Sequence, residues 1–450
     1  MTGHAYRSFG LARRGRENGL PAPDAVALLE KGAVMPGGLL AYGNGRSYGD
    51  SCLNDAGMLA DMRGMDRILG FDPATGIIEV EAGVMLWDLV ARAAVHGYFP
   101  PVLPGTRFVT VGGAIANDVH GKNHHRRGTF GCHVEELVLL RSDGRRLTCS
   151  ATDNPELFSA TIGGMGLTGL ILSAKLKLMP VGSAGIVQTV RPFPALDAYL
   201  DMAEQADADN EYAVAWIDQL ATGRKAGRGL LITGNHAEGG PVQALGANTR
   251  LSVPFQPPVT VLGRPFLTIF NEAYFQAKRR QATPRTVGPL GFFFPLDGAR
   301  HWNRLYGPDG LFQHQSVISF ETARTALPAL LEATREAGQA SFLTVLKRFG
   351  RVASPGLLSF PRPGYTLTLD FPNRGRATLD LLARLDRITV DAGGAVNPYK
   401  DARMNAATFE ASFPHWRRLE RLRDPAFLSD FWRRTAMALD DGGAARLAAE

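Results

Sequence analysis

Two glycine-rich stretches hold the side chains best suited to chemistry. The first reads Tyr42-Gly43-Asn44-Gly45-Arg46-Ser47-Tyr48-Gly49-Asp50. Glycines at 43, 45 and 49 let the backbone approach a ligand closely. Successive N–H groups can then converge on a pyrophosphate as an anion nest, with Arg46 and Ser47 as extra donors. In a chain with 51 glycines a tight structural turn reads the same way, so both readings stay open. The stretch is not a GxGxxG fingerprint, because no helical stripe follows it. The second stretch comprises Pro104-Gly105-Thr106, then Thr110-Val111-Gly112-Gly113-Ala114-Ile115, then Asp118-Val119-His120-Gly121-Lys122-Asn123-His124-His125. The Gly112-Gly113 pair suits a backbone passing under a large flat ligand. The cluster after it offers imidazole, ammonium and amide donors for phosphates or for the polar edge of a ring. Three histidines within six residues leave a metal site as the alternative. No Cys, Asp or Glu stands beside them at helical ligand spacing, and the glycines argue for a loop without metal.

Positioning these loops requires an α+β scaffold. Residues 76–84, 133–149 and 169–180 alternate apolar and polar side chains like half-buried strands, with a turn at Asp143-Gly144. Residues 85–98 and 154–164 read as short amphipathic helices. After Pro180 the pattern becomes strands at 211–218, 229–234, 315–320, 341–350 and 365–372, with helices at 322–338 and 376–394, the signature of an antiparallel sheet. The stretch 251–294 mixes prolines, aromatics and Lys278-Arg279-Arg280, and is expected to be a mobile or membrane-facing insertion. No internal repeat or low-complexity tract is visible.

The chain has 450 residues, 45% hydrophobic and 20% charged, enough for two globular domains. No window is apolar enough to span a bilayer, and the first residues lack a signal-peptide core, so a cytoplasmic or peripheral inner-membrane location is expected, with the periplasm left open. Cys52, Cys132 and Cys149 fit neither a zinc site nor a disulfide framework. The net charge of +6 favours anionic partners. The basic residues are scattered, without a nucleic-acid-binding pattern, so an anionic cofactor or substrate is the simpler reading.

YGNGRSYGD, PPVLPGTRFVTVGGAIANDVHGKNHH, FGCHVEEL and GGMGLTGLI together resemble the flavin domain of the decaprenylphosphoryl-β-D-ribose oxidase family, within the vanillyl-alcohol-oxidase (PCMH-type) FAD-binding superfamily. The likeness runs on through 292–315, VLKRFG at 345–350, LSFPRPGYTLTLDFP at 358–372 and YKDAR at 399–403. It implies a flavin domain over 1–182, completed by 395–450, and a substrate domain over 183–394. It also implies oxidation of the 2′-hydroxyl of a polyprenyl-phosphoryl pentose to a keto sugar, the first half of an epimerisation finished by an NAD(P)H-dependent short-chain reductase. A soluble sugar, alditol or aldonolactone oxidase on the same fold is the alternative. A flavin-free binding protein is a third class.

By this resemblance, FAD contacts fall on residues 43–50, on Gly105, on Thr110, Val111, Gly112 and Gly113, on His120, Gly121, Lys122 and Asn123, and near Ile171. The first glycine loop carries Arg46-Ser47 where some relatives tether flavin through a histidine, which implies non-covalent FAD. Asn397 stands where the family has a cofactor-touching tyrosine. Lys400 matches a lysine beside the substrate hydroxyl, Lys347 a second site lysine and Gln315 a substrate-facing glutamine. His120 is expected to orient the site. Trp216, Phe293 and Phe312 are candidate walls. Thr368 replaces a reactive cysteine, and Phe293 a tyrosine, of the resembled family.

Overall fold

The structure, a computed structural model, describes residues 6–440 except 14, 16, 17, 240–250 and 282. The Asp143-Gly144 turn closes a hairpin between strands Val134–Leu140 and Arg146–Ser150, with Leu140 opposite Arg146 and Gly144 at φ +80°. This hairpin belongs to a five-stranded antiparallel sheet with Ile68–Asp72, Ile77–Glu81 and Leu170–Lys177. Its inward residues Ile78, Val80, Leu137, Leu139 and Ala174 share one core with Leu86, Leu89, Val90 and Ala93 of helix Leu86–Ala94. Beside it, Gly19–Pro21, Met58–Asp61 and Leu39–Tyr42 form a three-stranded parallel sheet. The first glycine loop springs from the end of Leu39–Tyr42.

The second large layer is an eight-stranded sheet in the order Arg285–Val287, Ile186–Phe193, Gly229–His236, Tyr212–Ile217, Val345–Phe349, Gly364–Pro372, Leu311–Ile318 and Ala395–Val396. Every pairing in it is antiparallel. Period-2 alternation sorts its side chains. Leu346, Leu367, Leu369 and Phe371 pack with helices Leu196–Asp209, Ala323–Glu336 and Arg376–Asp391 on one face. Gln313, Gln315, Val345, Lys347 and Thr368 face a cleft on the other.

Three local expectations change. Val111–Ala116 is a short helix, capped by Thr110, whose hydroxyl accepts from Gly113 N–H at 3.2 Å. The histidine cluster is not all loop, for His124–Arg127 makes one helical turn. Residues 251–294 contain a 16-residue helix, Arg264–Arg279, which the prolines and aromatics around it obscure in the sequence.

A ladder of buried charge ties the ends of the chain to the middle. Arg434 pairs with Asp50 through Nε at 2.8 Å and with Asp401 through Nη2 at 2.7 Å. Arg13 meets Asp50 at 2.8 Å. Arg403 Nε lies 3.5 Å from Asp401, and Arg403 Nη2 donates to Asp386 at 2.9 Å. His314 Nε2 stands 3.2 Å from the same carboxylate. Above it, helices Ala406–Ser412, Trp416–Leu422 and Asp430–Trp432 bury Phe409, Trp416, Phe431 and Trp432 in one cluster with Leu40, Leu59 and Leu167. Replacing Arg434 by leucine removes the cation shared by two buried carboxylates. Breaking such a pair costs about 3 kcal/mol, and R434L is expected to unfold several degrees lower in a thermal melt. An unchanged midpoint would show that the ladder does not stabilise the fold.

Candidate active site

One long cleft lies between the glycine loops and the open face of the large sheet, with about 1860 Å³ of empty space, its mouth included. Gly43, Asn44, Gly45, Arg46, Ser47 and Tyr48 line one end, with Gly105, Thr110, Gly112, Gly113 and Ile171. Here the chain leaves no room for side chains. A Cβ on Gly43 would sit 2.5 Å from Thr110 Oγ1, and one on Gly112 would sit 2.9 Å from the Cβ of Ala82. The glycines thus turn bare backbone towards the cleft, as close passage of a flat ligand requires. Arg46 stands over the Phe108 ring at 4.8 Å, and its buried Nε has no hydrogen-bond partner among the described residues. A cradle of bare backbone and an unused guanidinium donor fits an anionic dinucleotide such as FAD.

The other end is built by the sheet. Across three strands, Val345, Thr368 and Gln315 stand opposite one another, and the next row holds Lys347 and Thr366. Lys400 enters from the loop after Ala395–Val396, its Nζ 4.4 Å from the Tyr48 ring centroid. His120 reaches in from the opposite wall, with Nε2 3.1 Å from Gln315 Nε2 and Nδ1 3.1 Å from Lys347 Nζ. The glycine loops and the polar sheet face therefore meet at His120, Lys347 and Lys400.

Burial without enough counter-charge sets the protonation of this junction. It brings Lys400 down to about 8, with Asp370 pulling the other way. It brings Lys347 to about 7, helped by the cations Lys122 and Lys400. His120 falls well below the ordinary imidazole range, through burial and then through Lys347. Asp370 is pushed up to about 7 by burial, against a hydrogen bond from Gln313. A neutral amine is therefore accessible close to neutral pH, as proton abstraction needs.

Several expected residues do not line the cleft. Lys122 donates to the Phe292 carbonyl and sits over that ring at 4.5 Å. Asn123 spends its amide on Pro101 O at 2.8 Å and Glu211 at 2.9 Å, and so joins the two layers. Gly121 contributes its carbonyl, 3.5 Å from Lys347 Nζ. Val111 is core, and its N–H donates to Val84 O. Gly49 is a close-packing position, where a Cβ would meet Asp401 O, and Asp50 belongs to the charge ladder. Phe293 packs on Phe99 and Tyr212 in the core. Trp216 does share the face of Val345, but Tyr274, from helix Arg264–Arg279, covers it at 5.0 Å. Phe312 points to the helical side. Asn397 lines the cleft, as does Tyr399, whose hydroxyl donates to Gly163 O at 2.9 Å.

Phe9, Trp302 and Gln313 also line the cleft, and Asp370 bonds Gln313 behind it. Alternation in YTLTLDFP could have placed Asp370 on the face of Thr368. No local signal marks Phe9 or Trp302. Among the described residues no three His, Cys, Asp or Glu side chains group as a metal site. The clustered histidines diverge: His124 Nδ1 accepts from Gly350 N–H at 3.2 Å, and His125 faces Asn210 O at 2.9 Å.

Comparison with known proteins agrees with this geometry. Residues 35–150 match the FAD binding domain family. Decaprenylphosphoryl-beta-D-ribose oxidase of Mycolicibacterium smegmatis is 36% identical over 415 residues, covering 88% of this chain and 89% of that one. The chain belongs to the decaprenylphosphoryl-β-D-ribose oxidase family. It is an FAD-dependent oxidoreductase acting on CH–OH groups, with the α+β fold of that superfamily. L-Gulonolactone oxidase of Mus musculus is 33% identical over 138 residues, 31% of each chain. Cytokinin dehydrogenase 2 of Oryza sativa is 31% identical over 166 residues, 35% of this chain and 29% of that one.

Substituting Gly112 by valine drives the short helix off Ala82 and displaces the bare backbone beside it. G112V should purify with the fold intact by circular dichroism but with most of its visible flavin absorbance lost. Full flavin occupancy would place the cofactor elsewhere.

Proposed function

We propose that this chain oxidises the 2′-hydroxyl of a polyprenyl-phosphoryl pentose to a keto sugar, with FAD held without a covalent tether. Lys400 is the observation on which the proposal turns: a buried amine at the seam between the glycine cradle and the polar sheet face. The 42–50 loop contains no histidine to tether a flavin. Gly43 to Tyr48, Gly105, Thr110, Gly112 and Gly113 hold the cofactor, with residues up to 182 and beyond 395 as its domain. Bound FAD supplies the hydride acceptor for the carbinol carbon. Lys400, as the neutral amine, takes the hydroxyl proton, and Gln315, Lys347 and Thr368 orient the sugar. Thr368, where the resembled family has a reactive cysteine, presents a hydroxyl in the row between Val345 and Gln315.

A lipid-bearing substrate is favoured by a row of aromatic rings. Phe266 stacks on Phe270 at 6.1 Å, Phe270 meets Phe342 at 5.6 Å, Phe342 meets Trp302 at 6.4 Å, and Trp302 meets Phe9 at 5.3 Å inside the cleft. The outer end opens on Leu251, Phe255, Val259, Val261, Phe266 and Ile269, all exposed. With Arg264, Lys278 and Arg279 on the same helix, this surface suits an anionic bilayer face. Among the described residues no helix is long and apolar enough to cross a membrane. The keto product calls for an NAD(P)H-dependent short-chain reductase as partner.

K400M should keep its flavin yet lose anaerobic bleaching by a polyprenyl-phosphoryl ribose, at least 100-fold in rate, within the range for general-base loss. Because Lys400 must be unprotonated to accept, wild-type flavin reduction should rise as pH increases through about 8. Retained turnover in K400M, or bleaching by free sugars alone, would overturn the assignment. F266E/I269E should lower co-sedimentation with vesicles containing anionic lipid several-fold, with flavin content unchanged; equal binding would remove this surface from the membrane.

A further inference from the structure

The polar contacts behind His120 can be read in only one direction. The backbone N–H of Tyr399 donates to Asn397 Oδ1 at 2.9 Å, and a backbone N–H cannot be anything but a donor. This orients the Asn397 amide, so that its Nδ2 faces Gln315 as a donor, 2.9 Å from Oε1. Gln315 must then turn its own NH2 the other way. Its two hydrogens have two receivers, Thr366 Oγ1 at 3.0 Å and His120 Nε2 at 3.1 Å. Turning the Gln315 amide over would set one NH2 against another in a buried site. Asn397 is 3% exposed and Gln315 2%, so no solvent relieves that clash.

An imidazole nitrogen that accepts carries no proton. With Nε2 accepting, neutral His120 bears its hydrogen on Nδ1, directed at Lys347 Nζ 3.1 Å away. An ammonium there would oppose hydrogen to hydrogen. An amine offers its lone pair to the ring, one N–H to Gly121 O at 3.5 Å and one to the cleft. We propose that Asn397, acting through Gln315, fixes the Nδ1-protonated tautomer of His120, and that this tautomer holds Lys347 as a neutral amine rather than a cation. Asn397 and Gln315 are thus positioning residues.

The charged and titratable groups around Lys347 act in the same sense. His120 and His124 face it from the segment after the short helix, Lys122 from the same segment and Lys400 from the loop beyond the sheet. The nearest carboxylate in this set, Asp370, acts on Lys400. The tautomer lock keeps a second positive charge away from Lys400 while Lys400 gains the substrate proton. Lys347 remains a donor to the substrate and does not compete for that proton. Only this kinetic consequence rests on the proposed function.

The test is 15N NMR of the FAD-loaded protein labelled at histidine, with His120 identified by its loss in H120Q. The expected spectrum has a protonated Nδ1 and an unprotonated Nε2 at neutral pH, without substrate. A protonated Nε2 in the wild type would overturn the proposal. In N397L, which carries no new charge, Gln315 is free to turn over and the proton should move to Nε2. Lys347, then able to carry a proton, would repel charge on Lys400, and the acid limb of flavin reduction should shift downward by about one pH unit. Should N397L fail to fold, N397D replaces it, because its carboxylate still accepts from Tyr399 N–H but cannot donate to Gln315. A His120 that stays Nδ1-protonated in the folded variant would remove Asn397 from the chain of control. Loss of substrate bleaching with the wild-type tautomer intact would instead count against the substrate assignment alone.

Discussion

Arg434 sits where distant parts of the chain meet. It bonds Asp50 across 384 residues and Asp401 across 33. Both carboxylates are almost completely buried, at 0% and 3% exposed, and a buried charge is costly unless it is paired. One guanidinium therefore fixes the end of the flavin-side glycine loop relative to the loop bearing Lys400. The same linkage passes through Arg403 to Asp386, on a helix behind the large sheet. Lys400 can be held near the cofactor cradle only because the residue after it is locked in this way. A hydrophobic contact of equal strength would leave the loop free to slide. Bidentate charge pairing does not.

This arrangement also explains why the site is built from a polar floor and an apolar exit. The cradle end presents backbone and cations, suited to phosphates. The sheet end presents amides, a hydroxyl and amines in rows set by strand register, suited to a sugar. The aromatic rings lead away from both towards the exposed edge. Each part draws on a different layer, and under the proposed function a base, a hydride acceptor and a polar substrate head would be neighbours where the layers meet.

Much of this was legible in the sequence, and the failures have a common physical cause. Alternation located the strands, and the Asp143-Gly144 pair located its hairpin, because both are local. The glycine stretches became a cradle once the resemblance joined them. Trp216 was misplaced because alternation gives the face of a strand and not what covers that face, whereas Phe293 ends the short helix Pro289–Phe293 and packs its ring on Phe99 and Tyr212. Lys122 and Asn123 look like ligand donors in a polar run, yet Lys122 is taken up by the Phe292 carbonyl and Asn123 by Pro101 O and Glu211. Asn397 looked like a lost cofactor contact. Its partner Gln315 lies 82 residues earlier in the chain, beyond the reach of any local pattern.

The two faces of the eight-stranded sheet have separate duties, one sealed against helices and the other lining the cleft. Gln313 and Gln315 in Leu311–Ile318, and Thr366 and Thr368 in Gly364–Pro372, can therefore change without touching the side packed on the helices. A lineage could exchange the Gln313, Gln315, Thr366 and Thr368 positions one at a time and drift from one sugar to another with its fold unharmed. The separation makes this sheet a surface on which new specificities can evolve at little structural risk.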